Sequence, residues 1–493
     1  MKLKGSVTLF LSLLLAVILG VFQVLFQSLR IAGGRVQAEA GVEEGLYSVF
    51  SGYHRELFDR YRVFFLDAGY GSAGFRPEIM LNIVETSLEQ SCYSGKRENL
   101  WNCTREMSAV TGYTLATDNN GAAFYEQAVD YMKDTLGIQG IQLLADQLTQ
   151  QKSTVEEQKI QGDYDSAKEA QEVYEQKKEE QMAGETGLPG DEQQTQADPD
   201  PTAAPLVEVP AGFQNPLDII RQVQNMGLLG LVFPADRQLS QAEVRLEELP
   251  SHRQLECGMG MGIAVPEEGI TEQLLFLQYM MEHLGCFGEE QAQEGLRYQL
   301  EYVIGGKDSD KKNLEFVVKE LLAVRTAANM VHLLTDTGKQ AQAHQMAMVI
   351  GSAVGLPFLE SVISLALQAA WSFGESVLDI RCLLDGGKIP LVKDAGSWQL
   401  SLENLSKILE LLNQEPDTGD EGMTYQQYLR LLLFMKSGQT RLDRTMDMAE
   451  QQIRAGGQEN FSLDRCVYSL EVEMKIRCEN REFTILRSYG YGM

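Results

Sequence analysis

Histidine and positive charge are both scarce in this chain. Its 5 histidines stand at 54, 252, 283, 332 and 344 among 493 residues. No two are four apart and no HExxH occurs, which leaves a helix-borne zinc site without support. Lysine and arginine total 42 against 70 acidic residues, for a net charge of -28. Phosphate neutralisation needs clustered cations, so the charge argues against a nucleic-acid partner. It argues equally against broad adhesion to anionic lipid. An acidic excess instead keeps an exposed protein soluble.

Cysteine is also sparse, and 7 are too few for a disulfide scaffold. Cys92 and Cys103 are close enough to bridge through a short loop. Cys257 and Cys286 are a weaker pair. Cys466 and Cys478 bound one alternating stretch, and a straight strand would hold them roughly 40 Å apart, beyond any bridge. Buried unpaired thiols are an equally open reading. Catalytic signatures are missing too. There is no GxSxG elbow and no phosphate-binding GxxxxGK[ST]. CGMGMG at 257–262 lacks the GxGxxG spacing between strand and helix, and reads as a flexible turn. TDNNG at 117–121 fails as a calcium loop. With Gly121 as the loop glycine, Ala116 falls on the first ligand position and Gln127 on the last.

What is present starts with a long hydrophobic run. From Val7 to Phe26 the chain reads VTLFLSLLLAVILGVFQVLF, without a charge. Such a run, at 1.5 Å per helical residue, is about 30 Å long, the thickness of a bilayer's hydrocarbon core. Lys2 and Lys4 precede it as in a secretory signal, but the run is too long for a typical signal core. The nearest small-x-small site, Ala38-Glu39-Ala40, lies well beyond it. The pattern predicts an uncleaved anchor with a cytoplasmic N-terminus and the bulk of the chain outside.

An amphipathic pattern continues to about residue 65. Leu46, Phe50, Tyr53, Leu57, Tyr61 and Phe64 form one helical stripe, close to a coiled-coil seam. A continuous stalk over 27–65 would reach about 55–60 Å from the bilayer, with Gly33-Gly34 as its hinge. The stripe predicts a partner, either elsewhere in this chain or on a second protein.

The remainder reads as mainly α with a small antiparallel β component, an α+β class. The expected segments are 1–66, anchor and stalk; 67–148, a membrane-proximal helical region; 149–211, an acidic Gln-rich linker; and 212–493, an α-rich domain. In the second segment, Pro77 starts a helix, 91–109 is irregular, 110–116 is a short strand, and Asp118 caps a helix from Ala122, with another after Gly140. In the linker, residues to about 182 suit a solvated helix and 184–210 suit disorder. LLGLVF at 228–233 reads as a buried strand. Asp310 is a candidate cap near Asn313. Residues 466–478 alternate apolar and polar, and with the returning EFTILRSYGYGM they predict a C-terminal hairpin.

The best polar constellation is Glu375 and Asp379, four apart on one helix face, with Arg381 near and Glu301, Lys307 and Arg325 on neighbouring helices. Paired carboxylates can do acid–base work. The alternative is a buried ion network holding helices in register. No catalytic, cofactor-binding or metal-ligating residue is assigned, and no cofactor is expected.

KGSVTLFLSLLLAVILGVFQ, followed by an Arg/Gln/Ala-rich helix, resembles the anchors of TadE/TadG-like proteins of Tad (Flp) pilus systems. Four stretches resemble an uncharacterised family of membrane-anchored proteins of Gram-positive bacteria, often associated with Tad-type loci. They are LATDNNGAAFYEQAVDYM (115–132), LRYQLEYVIGGKDSDKKNL (296–314), AWSFGESVLDIRCLLDGGKIPLVK (370–393), and YLRLLLFM with RTMDMAEQQIR (428–454). Processed pilins carry Glu five residues after the cleaved Gly; here Phe10 stands at that place after Gly5. The resemblance therefore implies an anchored, non-enzymatic accessory of a pilus-like or secretion assembly rather than a filament subunit. The other readings are an extracytoplasmic envelope enzyme using Glu375 or Asp379, and a tethered ligand-binding or sensor module.

Overall fold

In the computed structural model the apolar block lies inside one uninterrupted helix, α1 (Lys4–Ser51). The structure describes residues 4–92, 101–161, 164–185, 208–210, 213–234, 237–264, 269–289, 294–414 and 419–492. Lys2 and almost all of 184–210, read above as a basic flank and as disorder, lie outside these. After α1 come α2 (Arg55–Tyr61), β1 (Leu66–Asp67), α3 (Pro77–Cys92), β2 (Cys103–Leu115), α4 (Asp118–Gln161) and α5 (Tyr164–Glu185). Then follow α6 (Pro216–Gln224), α7 (Leu228–Val232), α8 (Ile270–His283), α9 (Gln299–Gly305), α10 (Asp310–Thr335), α11 (Thr337–Ala353) and α12 (Glu360–Leu384). The chain closes with α13 (Ile408–Leu411), α14 (Tyr425–Phe434), α15 (Gly438–Ala455), β3 (Cys466–Cys478) and β4 (Arg481–Gly490). The described residues are 64% helical with a small antiparallel sheet, which makes the class mainly α with a minor β part, as the sequence implies. Two compact units are interleaved along the chain. Unit 1 is Met1–Gly137, Arg245–Tyr279 and Gly438–Met493; unit 2 is Ile138–Val244 and Met280–Ser437.

Unit 1 is built on β3, which pairs antiparallel with β1, β2 and β4. The predicted hairpin is present, with Cys478 opposite Arg481 across the Glu479-Asn480 turn. Glu479 takes φ 54°, a conformation that favours glycine. Its carboxylate meets Arg30 of α1 at 2.8 Å, a contact a glycine could not make. The strand predicted over 110–116 is longer, and it absorbs the last residues of the stretch read as irregular. Its first residue, Cys103, faces Cys478 in register, and the two form a disulfide. Neither predicted cysteine pair forms: Cys92, Cys257 and Cys286 are free thiols. Cys466 and Cys478 sit at opposite ends of one strand, as expected. The CGMGMG segment is extended rather than a free turn: Met259 exchanges backbone hydrogen bonds with Tyr113 at 2.7 and 3.0 Å.

The stalk expectation needs correcting. Residues 6–29 are exposed and apolar, a stretch long enough to cross a membrane. Beyond Arg30, however, α1 packs along its own unit. Ala38, Val42, Leu46, Val49 and Phe50 are buried with Met80, Val84 and Leu88 of α3 and with Val472, Met474 and Ile476 of β3. Gly33-Gly34 is no hinge. A Cβ on Gly34 would stand 2.7 Å from Cys103 Sγ, and one on Gly45 would stand 2.7 Å from Val84 Cα. These glycines let a sheet end and a neighbouring helix approach the α1 backbone, and that packing offsets their low helix propensity.

The helix stops at Ser51, short of the predicted 65. His54 then caps α2, accepting from Leu57 N–H at 3.1 Å. The stripe is therefore split between two helices and largely buried. Leu46, Phe50, Leu57 and Tyr61 are core; Tyr53 and Phe64 are half-buried. Phe50 packs edge-on to Tyr489 and Tyr491, and Tyr61 Oη donates to Met448 O at 3.4 Å. Its partner is this chain's own C-terminal segment. Asp118 does not cap the helix it opens. Its carboxylate accepts from Leu115 N–H at 2.7 Å and Gly258 N–H at 2.9 Å. The two helices predicted after it are one, α4.

Unit 2 is helical, with α12 at its centre. Nearly every residue of α12 from Ile363 onward is buried, as its apolar sequence requires. α10 and α11 pack on it. So does α5, which buries Ala167 and Tyr174 and is not the fully solvated helix expected of an acidic linker. Residues 228–232 are helical (α7), not a strand, because a short apolar run does not reveal its period. Asp310 opens α10, but its carboxylate accepts from Arg297 and Tyr298 N–H at 3.0 Å each, tying down the preceding loop.

Candidate functional site

Helical spacing sets Glu375 and Asp379 on one face of α12, one turn apart. Opposite them α10 presents Arg325 and Asn329, also four apart. The segment after α12 brings in Lys393, Gln399 and Leu400. All of Glu375, Asp379, Arg325 and Lys393 have fully buried side chains.

Arg325 is bonded along its whole guanidinium. Its Nε donates to Asp379 Oδ2 at 3.0 Å and its Nη1 to the Pro390 and Leu391 carbonyls at 2.9 and 3.0 Å. It also reaches Tyr428 Oη at 3.1 Å and Asn329 Oδ1 at 3.3 Å. Lys393 Nζ touches Glu375 Oε1 and lies 2.6 Å from Asp379 Oδ1. Gln399 N–H donates to Glu375 Oε1 at 2.9 Å and Leu400 N–H to Oε2 at 2.6 Å. Trp398 lies over the group, its ring 5.8 Å from Lys393 Nζ.

Burial drives the two carboxyls in the same direction, but their partners separate them. Desolvation raises the pKa of Glu375, and Lys393 only partly counters it. Desolvation also acts to raise that of Asp379, yet Arg325 and then Lys393 hold it below the ordinary value. Asp379 is thus the firm anion of the pair and Glu375 the carboxyl that takes a proton more readily.

The other predicted members stand elsewhere. Arg381 donates to Leu411 O at 3.1 Å and Gln414 O at 2.8 Å. Lys307 places Nζ 5.5 Å from the Phe316 ring. Glu301 accepts from Phe287 N–H at 2.9 Å and from Tyr425 Oη at 2.8 Å, with no cation paired to it among the described residues. Sequence reasoning missed Lys393, Asn329 and Tyr428. Lys393 follows GGKIPLV in a segment without periodicity, where only the fold reveals what a lysine faces.

Glu301 is fully buried, and burial raises its pKa to about 7. An acid with a raised folded-state pKa stabilises the fold fully below its unfolded value. That contribution is lost as pH rises through about 7. The Glu301→Gln variant is therefore expected to lose about 2–3 kcal/mol less stability than the parent chain between about pH 5 and 8. Urea unfolding at both pH values checks this, and parallel losses in the two proteins would refute it.

The clefts on unit 2 among the described residues stand apart from the carboxylates. Two open on unit 2, of about 590 and 350 Å³, sharing Arg237, Leu384 and Asp385, and none of the four buried charges lines either. In unit 1, Ser251, His252 and Asp447 look like a triad, but the acid holds the serine. Ser251 Oγ donates to Asp447 Oδ2 at 2.5 Å and lies 2.7 Å from His252 Nδ1. A triad needs the acid on the far ring nitrogen. No group of three or more His, Cys, Asp and Glu side chains suited to a metal occurs among the described residues.

No curated protein and no solved structure matches the chain. A family of unknown function (DUF5702) matches residues 208–478, more than half of the 493. That stretch holds Arg325, Glu375, Asp379 and Lys393 as well as all of β3, and the chain belongs to this family of unknown function.

Proposed function

We propose that this chain is a single-pass, membrane-anchored protein whose bulk lies outside the cytoplasm. It serves as a non-enzymatic structural or assembly component of a Tad/Flp pilus-like or secretion system. The observation that carries the anchor reading is α1. Its exposed apolar part runs without a break into the core of unit 1. Cleavage after Ala40 would remove buried Ala38 and the Gly34 contact with the disulfide, which speaks for retention of the segment. The Cys103–Cys478 disulfide suits an oxidising compartment. The pilus assignment rests on the resemblance of the anchor and of the four body stretches to proteins of Tad loci. The buried, ion-paired state of Glu375 and Asp379 weighs against acid–base catalysis on an external substrate.

Cys257 is the one exposed free thiol among the described residues, so it reports topology. Intact cells treated with a membrane-impermeant maleimide should label Cys257. Labelling only after permeabilisation would overturn the orientation. N-terminal sequencing of the membrane fraction should find a chain that still includes Gly5 and the apolar run after it; a chain starting at Ser6 or Gly41 would overturn the uncleaved anchor. Crosslinking in intact cells should recover pilus or secretion components, and recovery of none would count against the assembly role.

A further inference from the structure

We propose that Lys393 and Glu375 condense into an intramolecular amide, with Asp379 as the base that accepts the lysine's proton. The three groups already stand as nucleophile, electrophile and base. Lys393 Nζ touches Glu375 Oε1 and is 2.6 Å from Asp379 Oδ1, and all three side chains are fully buried. Two backbone donors address the carboxyl that would be attacked, Gln399 N–H on Oε1 at 2.9 Å and Leu400 N–H on Oε2 at 2.6 Å. Preorganised N–H groups of this kind stabilise the negative charge of a tetrahedral intermediate. Asp379 is held as an anion by Arg325 and by Asn329 Nδ2, each at 3.0 Å. The raised pKa of Glu375 beside the lowered one of Asp379 fits an acid-form electrophile next to an ionised base.

The step balances without any added reagent. Within the buried pair a proton passes from Lys393 to Glu375, giving a neutral amine and a neutral acid. The Nζ lone pair attacks Glu375 Cδ, and the Nζ proton moves to Asp379 Oδ1. Charge gathers on Oε2 against the Leu400 N–H. Collapse breaks Cδ–Oε1, and that oxygen leaves as water with the proton Asp379 returns. One N–C bond forms, one C–O bond breaks, one water is released, and nothing is oxidised or reduced. Two of four buried charges vanish, while the matched pair Arg325–Asp379 remains. Desolvation supplies the driving force, because a buried ion pair is costly and an amide is neutral. All four side chains are fully buried, which disfavours the reverse hydrolysis. The product ties α12 to the segment that follows it.

Peptide mapping of the full-length, reduced chain tests this. Trypsin should leave Lys393 uncut and yield a branched peptide joining residues 340–381 to 389–407, lighter by one water than the two separate peptides. Fragmentation should place the branch at Glu375. Linear peptides 340–381 and 389–393 would overturn the proposal, and a branch at Asp379 would overturn the assignment of roles. Asp379→Asn keeps nucleophile and electrophile but removes the base, so its peptides should be unlinked. A linked Asp379→Asn chain would exclude Asp379 as the base. Should that variant fail to fold, the parent chain's digest decides by itself.

Discussion

Arg325→Met is expected to lower the stability of unit 2 by about 3–5 kcal/mol, the cost of breaking a fully buried ion pair from one side. Arg325 has no exposed surface, and neither has its partner Asp379. Methionine fills much of the volume but donates nothing. Asp379 would lose the cation that holds its charge, and the carbonyls of Pro390 and Leu391 would lose a donor that lies 2.9 and 3.0 Å away. These two half-buried carbonyls add less than the about 1–3 kcal/mol of a fully buried orphaned acceptor. Arg325→Lys should also destabilise, since an ammonium cannot span Asp379, two carbonyls and Tyr428 from one place. The double variant Arg325→Met, Asp379→Leu should recover part of the loss, because it removes the stranded charge. Urea unfolding of the three variants checks the series. A single-variant cost below about 1 kcal/mol would mean that the interior is wetter than the packing shows.

Removing the Cys103–Cys478 bridge should cost unit 1 about 2–4 kcal/mol. The cysteines are 375 residues apart in sequence, so the closed loop takes in most of the chain. Loop-closure entropy alone would put so long a loop near about 6 kcal/mol, and structure retained by the unfolded chain brings the expected loss down to the usual range. The bridge also pins the end of the sheet where β2, β3 and α1 meet at Gly34. Trp101 lies over Gly33 there, and the other two tryptophans, Trp371 and Trp398, belong to unit 2. A chain in which Trp371 and Trp398 are replaced by Phe therefore reports this end through Trp101 fluorescence. Reductant should shift its urea midpoint downward, and the Cys103→Ser, Cys478→Ser chain should start at the lower midpoint and ignore reductant. Equal midpoints with and without reductant would contradict the prediction.

Some elements were legible because their signal is local. An uncharged run such as 7–26 has few states but a helix. Strict alternation over 466–478 has few but a half-buried strand. Pro77 marks the start of α3 for the same local reason. Glu375 and Asp379 could be placed on one helix face, since period alone does that. Short apolar runs failed: residues 228–232 suit strand or helix equally until neighbours choose.

Local pattern is enough to establish an apolar helix of bilayer length, a mainly helical body, a C-terminal hairpin and a pair of carboxylates one turn apart. Which distant residues meet is set by packing in three dimensions. Cys103 bonds Cys478 because two strands distant in sequence pair in register. The stripe from Leu46 to Phe64 is core rather than interface because β4 and α15 return to cover it. Lys393 faces Glu375 because the segment after α12 folds back over its own helix. The physical reason is common to all three. Periodicity records which face of an element is apolar, whereas partners brought together by long-range packing leave no periodic trace.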